Sequence, residues 1–219
     1  MICCSIGFDP ITKKPKVFKA HVRNYEARYW IFTIGVDKSW REIFDCAKSI
    51  PGSNFVCIGG VFYFVNRLIG MPYNIVAFSA GNEKFMRRIT LPDQALTSIL
   101  PQKITEIKGQ IAVLDQNFFE GDVKVSLYVL KGIDETERWV KHIIKLPSNL
   151  RGTSIWPLFK TNSKGEIVLI TRSTSTPSTI LDIFLYDIAK KKWREVAINR
   201  SYDQELLGMN RIAVLLNFV

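Results

Sequence analysis

Hydrophobic and polar residues alternate along most of the chain with a period of two, which is the period of a half-buried β-strand. β-Branched and aromatic residues are frequent in the alternating segments, and Gly, Asn, Asp, Ser or Pro separates nearly all of these segments. The stretch SWREIFDCAKS, residues 39–49, has room for only a turn or two of helix. The pattern therefore predicts an all-β protein with many short strands.

Two features of the predicted strands recur along the chain at intervals of about 50 residues. The first is an aromatic residue that follows a short charged turn, at Trp40, Phe85, Trp139 and Trp193. The second is a glycine that opens an apolar strand, at Gly60, Gly109 and Gly165. Each repeat holds two hairpins and hence four strands, and four strands at this period are typical of one blade of a β-propeller.

The repeats predict a β-propeller of four-stranded antiparallel blades, of which about four are present. Two outer strands are expected to end at Leu91-Pro92 and Leu146-Pro147, because proline cannot donate the next ladder hydrogen bond. An apolar segment at 210–219 predicts one extra C-terminal strand. We expect a single domain over residues 1–219, while the number of blades and the closure of the ring stay open. The predicted blades are residues 1–44, 55–92, 104–147 and 152–199.

Composition predicts a folded core and raises the question of an acidic partner. Hydrophobic residues form 47% of the 219-residue chain, which is enough for a sizeable core. The formal net charge is +10, but the excess of Lys and Arg is spread over both halves of the chain and forms no basic tail. A nucleic-acid-binding protein with a basic face is therefore an alternative rather than the leading interpretation.

The residues that usually carry chemistry form no recognisable catalytic or metal-binding motif. His21 and His142 lie in predicted strands, away from any Ser, Cys or carboxylate motif, and are expected to be structural. The cysteines make no CxxC pair and no Cys/His ladder, so we expect reduced thiols. We predict that the protein is not an enzyme and has no cofactor, with no catalytic, cofactor-binding or metal-binding residue. The four cysteines are Cys3, Cys4, Cys46 and Cys57.

The sequence contains no signal that would direct the chain to a membrane or out of the cell. The N-terminus lacks the basic start and long apolar stretch of a secretory signal peptide. The longest apolar run, VCIGGVFYFV at 56–65, is too short to span a bilayer. We therefore expect a cytoplasmic or nuclear protein with no membrane partner.

Five segments carry motifs that follow one another in a defined order along the chain. They are IGFDPITKKPKVFKAHV (6–22), VCIGGVFYFV (56–65), IVAFSAGNEKFMRRITLP (75–92), LYVLKGIDETERWVKHI (127–143) and the last pair GEIVLI…FLYDIAKKKWREVAI (165–198). In this order they resemble the F-box-associated β-propeller domain of plant F-box proteins, the type 3 or kelch-like class. The sequence departs from the family at Phe64 and Tyr128, where Trp is usual, and at Ser79, where Asp is usual.

The resemblance implies a non-catalytic domain that recruits a target protein for ubiquitination. Family members normally begin with an F-box, a helical module that binds the Skp-type adaptor of a cullin ubiquitin ligase, and then a further blade. Neither precedes the Gly-Phe-Asp-Pro motif here, so the chain is a fragment, a truncated product or a paralogue without its docking module. Alternatives from other classes are a nucleic-acid-binding propeller and a propeller hydrolase or sugar-binding protein.

In such blades the short hairpin turns are predicted on one side and the longer loops on the other. The longer loops are rich in Ser, Thr, Pro and Asn, and we predict that partners bind there. Trp40, Trp139 and Trp193 are predicted to pack between blades. The short turns carry lysines that either favour solubility or form a basic face for an acidic protein or nucleic acid. These lysines are Lys13, Lys14, Lys38, Lys84, Lys108, Lys131, Lys164 and Lys190–Lys192.

Overall fold

The structure of the protein, a computed structural model, contains only β-strands and their connections in the part of the chain that it describes. Sixteen strands form four four-stranded sheets, and strands that follow each other in the chain are neighbours in each sheet. This arrangement confirms the predicted all-β class. The described residues are 1–44, 49–67, 73–92, 103–117, 124–132, 137–147, 158–162, 164–172 and 181–196.

The first two sheets follow the predicted hairpin order. In the first sheet, antiparallel pairing joins Phe18 to Ser5 on one side and to Ile31 on the other. The strands of the first sheet are β1 (Ile2–Asp9), β2 (Lys14–Arg23), β3 (Glu26–Thr33) and β4 (Arg41–Ile43). Those of the second are β5 (Pro51–Ile58), β6 (Val61–Asn66), β7 (Asn74–Ser79) and β8 (Lys84–Thr90).

The third and fourth sheets repeat the same order of neighbours. The strands of the third sheet are β9 (Lys103–Ile107), β10 (Gln110–Asn117), β11 (Lys124–Lys131) and β12 (Arg138–Lys145). Those of the fourth are β13 (Leu158–Thr161), β14 (Ile167–Arg172), β15 (Leu181–Asp187) and β16 (Lys192–Val196). The extra strand predicted at 210–219 lies outside the described residues, and the extent of a single domain over 1–219 stays a prediction.

The start of the second sheet differs from the sequence-based expectation. The strand β5 begins at Pro51, although the second blade was expected to begin at residue 55, and its register shifts between Pro51 and Phe55. Proline is tolerated at the first position of a strand because no donor is needed there. Residues 41–43 form β4, so the short helix considered for 39–49 is not found in its described part.

The described residues fall into two compact units, one within residues 1–117 and 125–143 and the other within 118–124 and 144–219. The first unit contains two hydrophobic clusters, one between the first and second sheets and one between the second and third. The second unit has a smaller aliphatic cluster on β14, β15 and β16, formed by Val168, Ile170, Ile183 and Leu185 with Val196. Burial of each such side chain contributes roughly 1.5–3 kcal/mol.

Candidate interaction surface

The hairpin turns that begin after Asp9 and Asp187 are each stabilised by hydrogen bonds to the aspartate side chain. The Asp9 carboxylate accepts from the Ile11 amide at 2.9 Å and from the Thr12 hydroxyl at 2.7 Å. In the second unit, Asp187 accepts from the amides of Ala189 and Lys190. An aspartate that binds the backbone two residues further on stabilises a tight turn. The side chains of these aspartates are therefore used to shape the turns.

A buried lysine joins the first turn to the second sheet. The Lys16 ammonium lies 3.1 Å from Asp9 Oδ2, 2.9 Å from Glu83 Oε1 and 2.7 Å from the Ala80 carbonyl oxygen. These three acceptors match the three protons of a lysine ammonium. The Lys16 side chain is only 5% exposed and that of Asp9 is fully buried. The pair therefore ties the β1–β2 turn to the β7–β8 turn in a region from which water is excluded.

An arginine extends this connection to the β3–β4 turn. Arg41 binds both carboxylate oxygens of Glu83, with Nη2 at 2.8 Å from Oε1, and its Nε lies 3.2 Å from Asp37 Oδ1. Asp37 in turn accepts from the Thr33 amide at 2.6 Å. We call the set Asp9, Lys16, Asp37, Arg41 and Glu83 the charged clamp. Its contacts hold three hairpin turns of the first two sheets together.

The charged clamp changes the acidity of its carboxylates. Burial by itself would raise the pKa of Asp9, but hydrogen bonds from Thr12, the Ile11 amide and Lys16, together with the lysine charge, lower it to about 2. The hydrogen bond from Arg41 lowers the pKa of Glu83, and the bond from Lys16 adds to this effect against the opposing effect of burial. Both carboxylates therefore stay ionised at neutral pH, where they balance the two cations.

Glycines allow the turns of the first and second sheets to approach closely. Gly60, in the β5–β6 turn, has a φ of +80°, and a Cβ there would lie 2.3 Å from Pro10 Cδ. A Cβ on Gly81 would lie 2.9 Å from Ile11 Cδ1. A side chain at Gly60 would force the turns apart, because the Pro10 ring is rigid, whereas a side chain at Gly81 would displace only the flexible end of Ile11. The four hairpin turns of the first two sheets thus gather on one side of these sheets. The sequence predicts this for three of them, all except the β5–β6 turn.

We call the exposed residues of this side the turn surface. It contains the lysines Lys13, Lys14, Lys38 and Lys84 and the aliphatic residues Ile11, Ile34 and Val36. Of the other predicted turn lysines, Lys108 is exposed, and Lys131 is half-buried and donates to Gln110. The second unit exposes Lys164 and Lys190–Lys192. The longer loops, where we predicted that partners bind, lie mostly outside the described residues. The prediction of a longer loop at Asn24–Arg28 is wrong: Asn24 and Tyr25 form a tight turn with positive φ, and Glu26–Arg28 belong to β3.

The three tryptophans that open outer strands differ in their surroundings. Trp139 packs against the cluster between the second and third sheets, and its Nε1 donates to the Thr90 carbonyl at 2.9 Å. Trp193 Nε1 donates to the Lys145 carbonyl at 2.7 Å, within the second unit. Both acceptors lie one residue before a Leu-Pro pair. Contrary to the expectation of burial, Trp40 is 42% exposed. Its ring packs at a tilt against Phe32, and the Lys19 ammonium lies 4.8 Å from the ring centre.

The described residues contain little that points to other chemistry. No group of three His, Cys, Asp or Glu side chains in this part of the chain lies close enough to hold a metal ion. His21 is exposed on β2 and His142 is half-buried on β12. Among the described segments, no helix is long and apolar enough to cross a membrane. The turn side of the first two sheets therefore presents charged and apolar side chains on an ordered backbone, which suits binding.

Sequence reasoning did not predict the charged clamp or the β5–β6 turn at Gly59 and Gly60. The Gly-Gly pair was assigned to the start of a strand, although two glycines between apolar runs are also a hairpin signal. A second available signal was the alternation in β2, which puts Lys16 on the same face as Phe18 and Ala20. A lysine in that position needs a buried acidic partner.

A repeated four-stranded antiparallel sheet with short turns on one side defines a protein of the β-propeller class, and comparisons with known proteins agree. The chain can be superimposed on TolB from Acinetobacter baumannii with a TM-score of 0.51 at 11% identity, over 89% of this chain and 43% of TolB. Residues 1–219 match the model of the F-box associated beta propeller domain. The chain therefore belongs to the F-box associated beta propeller family.

The relatives of the chain are F-box proteins of Arabidopsis thaliana. It is 30% identical to F-box protein At1g53550 over 187 residues, which cover 80% of this chain and 44% of that protein. It is 28% identical to F-box protein At5g65850 and 29% identical to F-box protein DOR, over 87% and 88% of this chain and 49% of each relative. The chain thus spans about half the length of the curated relatives that it matches.

Proposed function

We propose that this domain is a non-catalytic recognition module that binds a target protein and presents it for ubiquitination when it is joined to an F-box. The observation that carries this proposal is the family match over residues 1–219. Relatives named as F-box proteins, each about twice as long as the matched region, support it. The sheets then act as a stable frame for binding segments rather than as a source of catalytic groups.

Two kinds of partner follow from this role. The first is the target protein, which binds the domain directly. The second is a Skp-type adaptor, which contacts this protein only where an F-box is part of the same polypeptide. Both partners belong to the cytosol or the nucleus, and we propose that the protein acts there.

The longer loops are the proposed contact region for the target. Each sheet is a meander of neighbouring strands, so loop residues can vary without disturbing the hydrophobic clusters. The short turns have less freedom, because the charged clamp and the glycines fix four of them in the first two sheets. Target selection is therefore assigned to the longer loops that the sequence predicts, such as those at 93–103 and 173–179.

The test uses the purified 219-residue chain as bait in plant extract and compares it with two variants. In one variant, residues 93–102 and 173–179 of these loops are replaced by Gly/Ser linkers of equal length; in the other, the same is done to turn residues 188–191. Bound proteins are identified by mass spectrometry. We expect a defined protein to be lost with the loop variant and kept with the turn variant. The reverse pattern, or no specific protein, contradicts the proposal.

A further inference from the structure

The acidic side chains on the turn side of the first two sheets are engaged by the protein itself. Asp9 and Glu83 bind Lys16, and Glu83 and Asp37 bind Arg41. These carboxylates are largely shielded, because their side chains are between 0% and 25% exposed. With Lys16 and Arg41 as partners, the three carboxylates and two cations leave a formal charge of only −1 to offset the exposed cations around them.

The lysines of the turn surface are exposed around this clamp. Lys13 and Lys14 end the β1–β2 turn, Lys38 lies in the β3–β4 turn and Lys84 begins β8. None of these four lysines forms an ion pair with a described residue. Because Arg41 binds Glu83, three turns that are distant in sequence bring these lysines to one side of the two sheets. The result is a positively charged surface around the charged clamp.

Aliphatic side chains are interspersed with these lysines. Ile11 is 72% exposed, Val36 is 53% exposed and Ile34 is 41% exposed, and all three lie in the same two turns as Lys13 and Lys38. Apolar groups rimmed by charge are typical of a contact surface for another molecule.

The backbone of the turn surface is fixed before any partner binds. Lys13 has a φ of 57° and Glu83 a φ of 53°, a conformation that side-chain-bearing residues adopt at some cost. Hydrogen bonds to Asp9 and close packing of Pro10 on Gly60 hold the first of these turns. A surface that is already ordered loses little conformational entropy on binding, which favours affinity.

We propose that the turn surface binds an acidic polypeptide segment that carries apolar side chains. Its carboxylates would approach the four lysines, and its apolar side chains would cover Ile11, Ile34 and Val36. This site is separate from the longer loops and does not depend on the proposed ubiquitination role. It would give the domain a second partner, or a second contact with the same partner.

The surface fits a polypeptide better than a nucleic acid. Arg41, the residue best suited to a bidentate phosphate contact, is already occupied by Glu83 and Asp37. The ring of Trp40 is covered in part by Phe32 and Lys19. The three apolar residues of the turn surface, Ile11, Ile34 and Val36, are aliphatic and offer no flat ring for base stacking. Lysines and aliphatic groups together match a peptide in which Glu and Leu are mixed.

The test measures fluorescence anisotropy of a labelled synthetic peptide that mixes Glu with Leu and Phe. A second peptide replaces Leu and Phe with Ser, and a single-stranded oligonucleotide of similar length is the third probe. Each is titrated with the full chain at low and at physiological ionic strength. We expect the apolar acidic peptide to bind more tightly than the other two probes, with an affinity that falls as salt is added.

Two variants of equal net charge separate the surface from the overall charge. The triple variant Lys13→Glu, Lys38→Glu and Lys84→Glu is expected to weaken peptide binding about tenfold or more. The control variant Arg23→Glu, Arg28→Glu and Arg88→Glu changes exposed cations of the first two sheets that lie outside the turn surface, and it is expected to weaken binding less than about twofold. Equal losses in both variants would overturn the proposal, because net charge alone would then explain the binding.

The pair Ile11→Ser and Val36→Ser tests the apolar part of the surface. We expect this double variant to weaken binding of the Leu-containing peptide about threefold and to leave the Ser-containing peptide unchanged. Circular dichroism and thermal unfolding check that each variant is folded. Two further results would overturn the proposal. One is that the peptide shows no measurable binding. The other is that the oligonucleotide binds more tightly than the peptide and that the Ile11→Ser and Val36→Ser changes do not alter its binding.

Discussion

The two interfaces between sheets in the first unit consist of different types of side chain. Between the first and second sheets the cluster is mainly aromatic, and Phe18 stacks on Phe78 with ring centroids 4.4 Å apart. Between the second and third sheets the cluster is mainly aliphatic, with Ile75, Ile89 and Val113. Only the first of these interfaces is bordered by the charged clamp. One repeat can therefore be joined to the next in two physically distinct ways.

The difference indicates which part of each interface is sensitive to change. Aromatic rings fill space as large rigid units, so the loss of one leaves a large cavity. The clamp fixes the relative position of the turns, and its buried charges depend on one another. The aliphatic interface distributes its contacts over many small side chains and adds a hydrogen bond from Trp139. The first interface is thus expected to respond more strongly to single substitutions and to acid.

Loss of the central ring is the largest expected effect. Phe18 is fully buried and its ring contacts those of Tyr29, Phe62 and Phe78. Phe18→Ala is expected to lower the free energy of unfolding by about 4 kcal/mol, because the surrounding rings cannot close the cavity. Val113→Ala in the aliphatic interface should cost about half as much. Urea unfolding followed by circular dichroism measures both, and equal losses would contradict the contrast.

Removal of the buried cation comes next. Lys16→Met keeps the length of the side chain but leaves Asp9 buried without its charged partner, which is expected to cost about 3 kcal/mol. The double variant Lys16→Met and Asp9→Asn removes the unpaired charge and should be more stable than the sum of the two single changes predicts. Additive losses in this double-mutant cycle would show that the two side chains do not interact.

Acid should weaken the first interface through Asp9. Its pKa of about 2 in the folded protein lies below that of an aspartate in an unfolded chain, about 3.9. The stabilisation is therefore complete above pH about 5 and is lost progressively as the pH falls through about 2, with a total of about 3 kcal/mol. Asp9→Asn should remove this part of the pH dependence of unfolding. An unchanged acid limb in that variant would refute the assignment.

The smallest effects concern the tryptophan hydrogen bonds. Trp139→Phe keeps an aromatic ring but loses the bond to the Thr90 carbonyl, which should cost about 1 kcal/mol. Trp193→Phe loses the bond to Lys145 and should cost a similar amount. Trp40→Phe is the matched control, because its Nε1 has no hydrogen bond to a described residue, and it should change stability by less than about 0.5 kcal/mol. Thermal unfolding of the three variants gives the ranking.

The alternation of residues allowed the strands to be predicted, because one face of each sheet is buried and the other is less so. In β2 the buried positions Lys16, Phe18 and Ala20 alternate with more exposed ones. The repeated aromatic positions likewise predicted the packing of Trp139 against the neighbouring sheet. Such patterns lie within a few neighbouring residues, so strands can be predicted from them without knowing which distant residues they contact.

The charged clamp could not be predicted in the same way. Lys16 and Glu83 are 67 residues apart in the chain, and neither has a local motif that identifies the other. Lysine is normally exposed, so its burial follows only from the packing of the second sheet on the first. Trp40 shows the opposite case. It occupies the same position in its repeat as Trp139, but its ring is exposed in the first sheet. Which face of a sheet is covered is a property of the assembled fold.

The central claim is that this domain selects a protein for ubiquitination, and a reconstituted reaction tests it most directly. The assay joins the 219-residue chain to an F-box and adds the Skp-type adaptor, the cullin with its RING subunit, E1, E2, ubiquitin and ATP. A protein captured by the domain is the substrate. We predict ubiquitination of that protein with the fusion and none with the F-box alone or with the loop variant. Equal ubiquitination in all three reactions would contradict the account.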